Sequence, residues 1–585
     1  MGGQQKKRAG YGVLAAAIVI AVVFLVLPGI IGYTAQTRVT SWLKTISQQG
    51  AYRIELVDFH RGWFTSTAKS RLVIEGQYGD TLRQLLGADP GTRMELTFDH
   101  RIHHGPLLLR DGIPTIGAAY AETGMRLPGL LQALLSPYLK GKPLLTFRTT
   151  FGFGGGSTTR ISNPGYSGRM GPQTAIRWDG ASGKIVASSK AFSILVAMPL
   201  FRFEDGARLV LLRDIGLNSR QARRGRHLWM GDTDASIGEI RMMSPESGEA
   251  AHVGGLDYRV SLTPSSGDRI DMHTSFGLSR AEFEGGVLGP TAWSLSVRNL
   301  SAPALDEAYE LYNDFRDADE GAGRRAALDS FLNSSLAKLF DSPVSMQTSL
   351  AAEMDGPYAV YKGKTTLGVS GDGGDVAITV DQHLDRLKYG DIALGGGDGR
   401  LRIADLDGKV LGNLYTDFVR IVATGMPEDQ QEQEMEQVFA RKAPQIVTPR
   451  TSVHLENVRV EAPDGMVTAS GQLGFRGTEP LDYDTTDAAL DRLEGSLHLR
   501  VPKGVLVSYL SWQSGEALRD RLAASGRDVP EDTIESLART TAITRMGELE
   551  KQSLIRRDGN DFVIDAELAD GRVVLNGVEQ PDLKP

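Results

Sequence analysis

Residues 58–76, DFHRGWFTSTAKSRLVIEG, carry the alternation on which the fold reading turns. Phe64, Ser66, Ala68, Ser70, Leu72 and Ile74 fall on one side, and Thr65, Thr67, Lys69, Arg71 and Glu75 on the other. A period of two is the mark of a strand with one dry and one wet face. In the preceding YRIELVDF, 52–59, Tyr52, Ile54 and Leu56 oppose Arg53 and Glu55, and His60-Arg61-Gly62 turns the chain between the two runs. The two runs form a hairpin. Trp63 and Phe64 at its opening are expected as a plug, large rings anchoring the hairpin on a core. The competing reading puts them at the mouth of a groove or at a bilayer surface, where Trp is favoured.

The same alternation recurs at Met94–Phe98, Val453–Glu456, Leu493–Val501 and Phe562–Leu568. Ten Asp-Gly dipeptides punctuate the chain, among them Asp205-Gly206, Asp407-Gly408, Asp464-Gly465 and Asp570-Gly571. Asp-Gly supplies the positive φ of two-residue hairpin turns, so these read as turns between antiparallel strands. Helical spacing appears at Leu305, Ala308, Tyr309, Tyr312 and Phe315, and again at Leu328, Phe331, Leu332, Leu336, Leu339 and Phe340. Further helices are expected near 412–422, 429–441, 503–511 and 531–549. The resulting class is α+β and predominantly antiparallel β. It is expected as a single N-terminal transmembrane helix followed by extended, curved antiparallel sheets decorated with amphipathic helices.

The membrane helix rests on residues 9–37, which contain no charged side chain. Within them Gly10–Gly32 is almost wholly apolar, long enough to cross the hydrocarbon layer. Lys6, Lys7 and Arg8 stand before it, and basic flanks stay on the cytoplasmic side. The run exceeds the apolar length of a cleaved signal peptide, so an uncleaved anchor is expected. The expected order is a cytoplasmic tail at 1–9, the anchor at 10–33, a stalk at 34–50 and a β-rich half at 51–302. A helical connector at 303–345 and a second β-rich half with helices at 346–585 follow.

Of the 585 residues, 41% are hydrophobic and 23% charged, the profile of a folded chain with room for several cores. A net charge of −8 offers nucleic acid no basic field. The absence of cysteine removes disulfides, zinc-thiolate sites and thiol nucleophiles together.

Candidate chemistry is sparse. His100, His103 and His104 cluster, but on a strand His100 and His104 share a face that His103 does not, so the three cannot close on one metal. GFGGGSTT at 152–159 lacks the Gly-Lys-Ser/Thr ending of a phosphate loop and reads as a flexible turn. SGDGGD at 370–375 and LGGGDGR at 394–400 lack calcium-loop spacing and read as hairpin turns, and DADEG at 317–321 has Leu328 where a bidentate Glu would stand. No Gly-x-Ser-x-Gly elbow occurs. RQARRGRH at 220–227 is the one basic run and reads as a solvated loop ahead of a headgroup contact. No catalytic, cofactor or metal residue is therefore assigned. The small residues Ser66 and Ala68, with Leu72 and Ile74, leave space on a sheet face that a helix of the same chain or an acyl chain must fill. With Trp63 and Phe64 they form a groove or a core hairpin.

HRGWFTSTA at 60–68, IHHGPLLL at 102–109, LEGSLHLRVPK at 493–503 and DFVIDAELADGRVVLNG at 561–577 occur in an order that resembles the YdgA-like family of uncharacterised bacterial inner-membrane proteins facing the periplasm. The architecture is also similar, more loosely, to AsmA-type envelope proteins. The resemblance implies no catalytic residues, and because members are shorter, it implies insertions such as 215–255. The expected function is a non-enzymatic binding or scaffold protein of the cell envelope, with lipid as its most concrete cargo. An envelope hydrolase with an unrecognised acidic site and a structural or assembly partner, affecting surface integrity or motility, are the alternatives. Expected partners are the inner membrane, lipid or other envelope proteins and a second copy in a homodimer, with no nucleic acid and no cofactor.

Overall fold

A computed structural model describes residues 52–581 except 75–93, 111–112, 127–142, 170–171, 207, 244–249, 284–285, 318–321, 333–343, 357–358, 373, 390–391, 424–426, 478, 480–490 and 526–528. The chain divides into two compact units, one of residues 1–261 with 306–327 and the other of residues 262–305 with 328–585.

Unit 1 begins with β1 (Tyr52–His60), β2 (Thr65–Ile74) and β3 (Met94–His104). A separate hairpin of β4 (Leu107–Arg110) and β5 (Ile113–Ile116) leads to β6 (Ala119–Arg126) and β7 (Leu145–Phe151). Two interrupted strands follow, β8 (Ser157–Asn163) with β9 (Tyr166–Arg169) and β10 (Thr174–Trp178) with β11 (Ala181–Ala187). The long β12 (Ala191–Asp205), β13 (Arg208–Arg223) and β14 (Trp229–Met243) complete it, and β15 (Ala250–Pro264) crosses the division between units. Every pairing from β1 to β14 is antiparallel and joins neighbours in the chain, apart from the β4–β5 excursion. Such a meander costs little loop-closure entropy, because each strand meets the one just made.

The alternation of 65–74 is realised in this register. Ala68 opposes His100, which opposes Thr123, and Ser66 opposes Ile102, which opposes Ala121. The other face carries charge: Arg71 pairs with Glu95, Arg126 with Asp99 and Arg148 with Glu122.

Unit 2 is a second antiparallel meander. It runs through β16 (Arg269–Phe283), β17 (Gly286–Leu288) continued by β18 (Thr291–Ser301), β19 (Ser345–Asp355), β20 (Ala359–Asp372) and β21 (Asp375–Tyr389). Next come β22 (Ile392–Leu394) continued by β23 (Gly397–Asp407), β24 (Ser452–Ala462), β25 (Gly465–Phe475) and β26 (Leu493–Pro502). The end is β27 (Arg556–Asp558), β28 (Asp561–Ala569), β29 (Arg572–Leu575) and β30 (Val578–Glu579).

Helical pairs are inserted between neighbouring strands. α1 (Ala302–Asp317) and α2 (Ala322–Ser330) separate β18 from β19, and α3 (Gly408–Ala423) and α4 (Glu428–Ile446) separate β23 from β24. α5 (Lys503–Ser525) and α6 (Glu531–Lys551) separate β26 from β27 and β28. β23 and β26 are three antiparallel steps apart, so α3–α4 and α5–α6 stand at opposite strand ends. α3 and α4 pack Leu414 and Ile446 on Leu406, with Ile378 and Ile403 beside them. α5 and α6 pack Leu510, Ala542 and Met546 on Phe562, with Ile564 beside them.

Several expectations are corrected. A fold opened by a transmembrane helix is not what the structure gives: no described helix is long and apolar enough to cross a membrane, and the class that stands is predominantly antiparallel β with paired helices. Lys6, Lys7, Arg8, the run 10–33 and the stalk 34–50 lie outside the described residues. Residues 215–255, expected as inserted loop, are largely the long strands β13, β14 and β15. Asp407-Gly408 is not a hairpin turn: the Asp407 carboxylate accepts from the amides of Lys409 (2.8 Å) and Val410 (3.0 Å) and starts α3. LGGGDGR joins β22 to β23 within one strand line, whereas Gly152–Gly156 is the expected turn. Trp63 and Phe64 are 58% and 51% exposed, so they do not plug a core.

Candidate functional site

In unit 1 the dry face of β2, β3 and β6 is closed and partly polar. Ser66 and Ser70 are buried at 0% and 2% exposure, and Ala68 lies between them. The Ser66 hydroxyl meets His104 Nε2 at 3.0 Å, while His104 Nδ1 meets the Trp63 carbonyl at 3.0 Å. A carbonyl only accepts, so Nδ1 carries the proton and, in the neutral ring, Nε2 accepts from Ser66. His100 bridges Ser70 (2.7 Å) and Thr123 (2.8 Å) through its two nitrogens. Burial lowers the His100 pKa, with Asp99 pulling the other way. Ser66 with His104 has the look of a nucleophile and its base. Ser66 is wholly buried, however, and a backbone carbonyl stands where a triad would place a carboxylate. These contacts satisfy polar groups inside a core. Leu72 is half-buried on the same face, Ile74 ends β2, and His103 points away to Thr65 and Tyr120. No group of three metal-ligating side chains occurs among the described residues.

In unit 2 the dry face is apolar and open. One cross-strand row reads Met272, Val297, Met346, Val369, Ile378, Ile403, Val453, Leu473, Gly495, Leu568, Val573, one residue from each of eleven strands. The next reads Thr274, Leu295, Thr348, Leu367, Val380, Leu401, Leu455, Gly471, Leu497, Ala566, Leu575. No member of the second row is buried, and Val297 alone is buried in the first. At about 4.8 Å per strand the rows run for about 48 Å. Where they cross β24 to β29 the face is hollowed into a cavity of about 340 Å3, lined by Val453, Leu455, Leu473, Leu497, Ala566 and Leu568. Gly471 and Gly495 help make the hollow. A Cβ at Gly495 would stand 2.4 Å from the Gln472 carbonyl oxygen, and one at Gly471 2.7 Å from that of Ser496. Only glycine lets the strands approach this closely.

The wet face of unit 2 holds the polar alternatives. A second cavity, of about 400 Å3, is lined by Lys364, Asp381, His383, Asp398 and Arg400. Its acids already have partners: Asp381 pairs with Arg400 at 2.5 Å and Asp398 with His383 at 2.7 Å. Asp398 raises the His383 pKa through that hydrogen bond. Ser470, His498 and Asp565 are successive cross-strand neighbours, with His498 Nδ1 on Asp565 at 2.5 Å. Asp565 is shared with Arg556 at 3.0 Å, and its pKa is lowered by His498 first and Arg556 second.

The basic run 220–227 proves structural. In unit 1 the Asp306 carboxylate of α1 accepts from the amides of Arg226 (2.8 Å), His227 (2.6 Å) and Leu228 (2.6 Å), and Arg226 pairs with Glu310. Burial pushes the Asp306 carboxyl up, but the three amides outweigh it and the pKa is lowered. Gly225 leaves room for this latch, since a Cβ there would stand 2.5 Å from the carboxylate. Nothing local in the sequence announces a contact across some eighty residues.

A family model described as a bacterial protein of unknown function, DUF945, matches residues 6–347 and 347–581. The chain belongs to the DUF945 family. No curated protein matches it, and no solved structure does. Sequence reasoning looked for room on the dry face of β2, where the structure shows buried hydroxyls. The open face lies in unit 2, where the sequence shows only separate short alternations, and strand register is what joins them into rows.

Proposed function

We propose that this protein is a non-enzymatic binder of acyl lipid, with the apolar rows of unit 2 as its seat. The observation that carries this is the uncovered middle of those rows. Among the described residues, α3–α4 and α5–α6 cover the face at opposite strand ends, and Met346, Leu473 and Leu497 of those rows are 37%, 38% and 40% exposed. A soluble domain rarely leaves so long an apolar strip bare, and such a strip marks an interaction site. An extended hydrocarbon chain matches a narrow strip that runs across many strands. Each buried methylene contributes about 0.8 kcal/mol, so ten of them supply about 8 kcal/mol before ordering costs. On the wet face no hydrogen bond joins Ser470 to His498 among the described residues, so that row favours no hydrolytic reading. A lipid binder acts where lipid is, so the cell envelope is the compartment that fits. The order of the four motifs at 60–68, 102–109, 493–503 and 561–577 supports a place among the YdgA-like members.

Mass spectrometry of lipid extracted from the gently purified full chain tests the proposal. Near-stoichiometric acyl lipid is expected, and it should be lost in the Leu473→Glu, Leu497→Glu double variant. A lipid-free wild-type protein, or an unchanged yield from the variant, contradicts it.

A further inference from the structure

The dry face of unit 2 carries a polar island. Beside the two apolar rows, Leu350 opposes Thr365, Thr365 opposes Gln382, and Gln382 opposes Gly399. The Thr365 hydroxyl donates to Gln382 Oε1 at 2.5 Å. Gln382 Nε2 donates to the Tyr361 phenol oxygen at 3.3 Å and to the His383 carbonyl at 3.1 Å. Both hydrogens of the Gln382 amide are thereby used, and the phenol oxygen acts as acceptor. The Tyr361 O–H is left to donate, and no acceptor for it occurs among the described residues. Gly363 keeps the phenol in place, because a Cβ there would stand 2.8 Å from its oxygen.

We propose that this island holds the ester carbonyl of an acyl lipid, with Tyr361 as the donor and the chain lying along the rows that pass Leu367, Val380 and Leu401. This deepens, and rests on, the lipid-binding reading. The chemistry selects an ester. Tyr361, Thr365 and Gln382 are uncharged, and so is every residue of the two neighbouring rows, so a free carboxylate would lose its hydration there with no cation to meet it. A neutral carbonyl needs one donor, and one is available. A plain alkane would leave that donor desolvated and unpaired.

The test titrates the full chain with two probes, the methyl ester of a dibrominated dodecanoic acid and a dibrominated dodecane. Binding is read as quenching of tryptophan fluorescence, since Trp293 lies in the island's own row, next to Leu350. The wild type should bind the ester about three- to tenfold more tightly than the alkane, the worth of one net hydrogen bond. Tyr361→Phe, which keeps the ring, should erase that ratio and leave alkane binding unchanged. A ratio that survives Tyr361→Phe overturns the island while leaving the lipid reading intact. Absence of quenching by both probes overturns the island and the lipid reading together.

Discussion

The two units are built by the same rule and finished differently. Each is an antiparallel meander with one wet face and one dry face. In unit 1 the dry face of β2, β3 and β6 is buried, and its polar side chains are matched to one another: Ser66 to His104, and Ser70 to His100 and Thr123. In unit 2 the dry face is nearly pure hydrocarbon and stays half exposed along two rows of eleven residues each. A closed face can carry hydroxyls and imidazoles if each finds a partner, because unpaired ones are costly away from water. An open face that receives hydrocarbon gains by keeping such groups few. On the lipid-binding reading, the difference separates a face built for its own stability from one built for an occupant.

The sharpest way to break this comparison lies inside unit 2. Phe562, 2% exposed beneath α5 and α6, should cost about 3–5 kcal/mol when cut to Ala. Leu497, on the same face but 40% exposed, should cost about 1 kcal/mol or less. Denaturant unfolding of both variants decides this, and equal losses would mean that the rows are covered in solution. Next in size is Ser66→Ala, which strips the buried His104 nitrogen of its partner and should cost about 1–3 kcal/mol in unit 1. No loss by the same method would mean that the polar ladder contributes nothing.

A pH series sharpens the contrast further. His100 is held below its ordinary pKa by burial, with Asp99 opposing. The unfolded chain therefore takes up the proton first as pH falls. The stability contribution is complete above about pH 6.5 and is lost as pH drops toward the lowered value. His100→Gln should flatten the stability of unit 1 between about pH 7 and pH 5 relative to wild type. Identical slopes would contradict the assignment. The smallest effect is expected at Trp63, where an exposed ring cut to Ala should change stability by about 0.5 kcal/mol or less. A loss of several kcal/mol would restore the plug.

Much of the fold was legible because period two and period 3.6 are local. The alternation at 65–74 became β2, and the amphipathic stretches near 412–422, 429–441, 503–511 and 531–549 became α3 to α6. At Asp407 Asp-Gly misled for a physical reason: an Asp side chain caps a helix as readily as Asp-Gly turns a hairpin, and there the helix won. Trp63 misled because an aromatic at a strand opening has no local signal for which side of the sheet it meets. The site was least legible. Leu401, Leu455 and Leu497 become one surface only through register, and Tyr361 meets Gln382 only across two strands. The Asp306 latch is equally non-local.

The central claim is that unit 2, and not the β2–β3–β6 face of unit 1, offers its dry face to lipid. A photo-crosslinking residue placed at Leu497 in one protein and at Ser66 in another, irradiated in living cells, tests it most directly. Acyl-lipid adducts at 497 and none at 66 are the predicted result. Adducts at 66 without any at 497, or adducts at 497 only to protein, would contradict it.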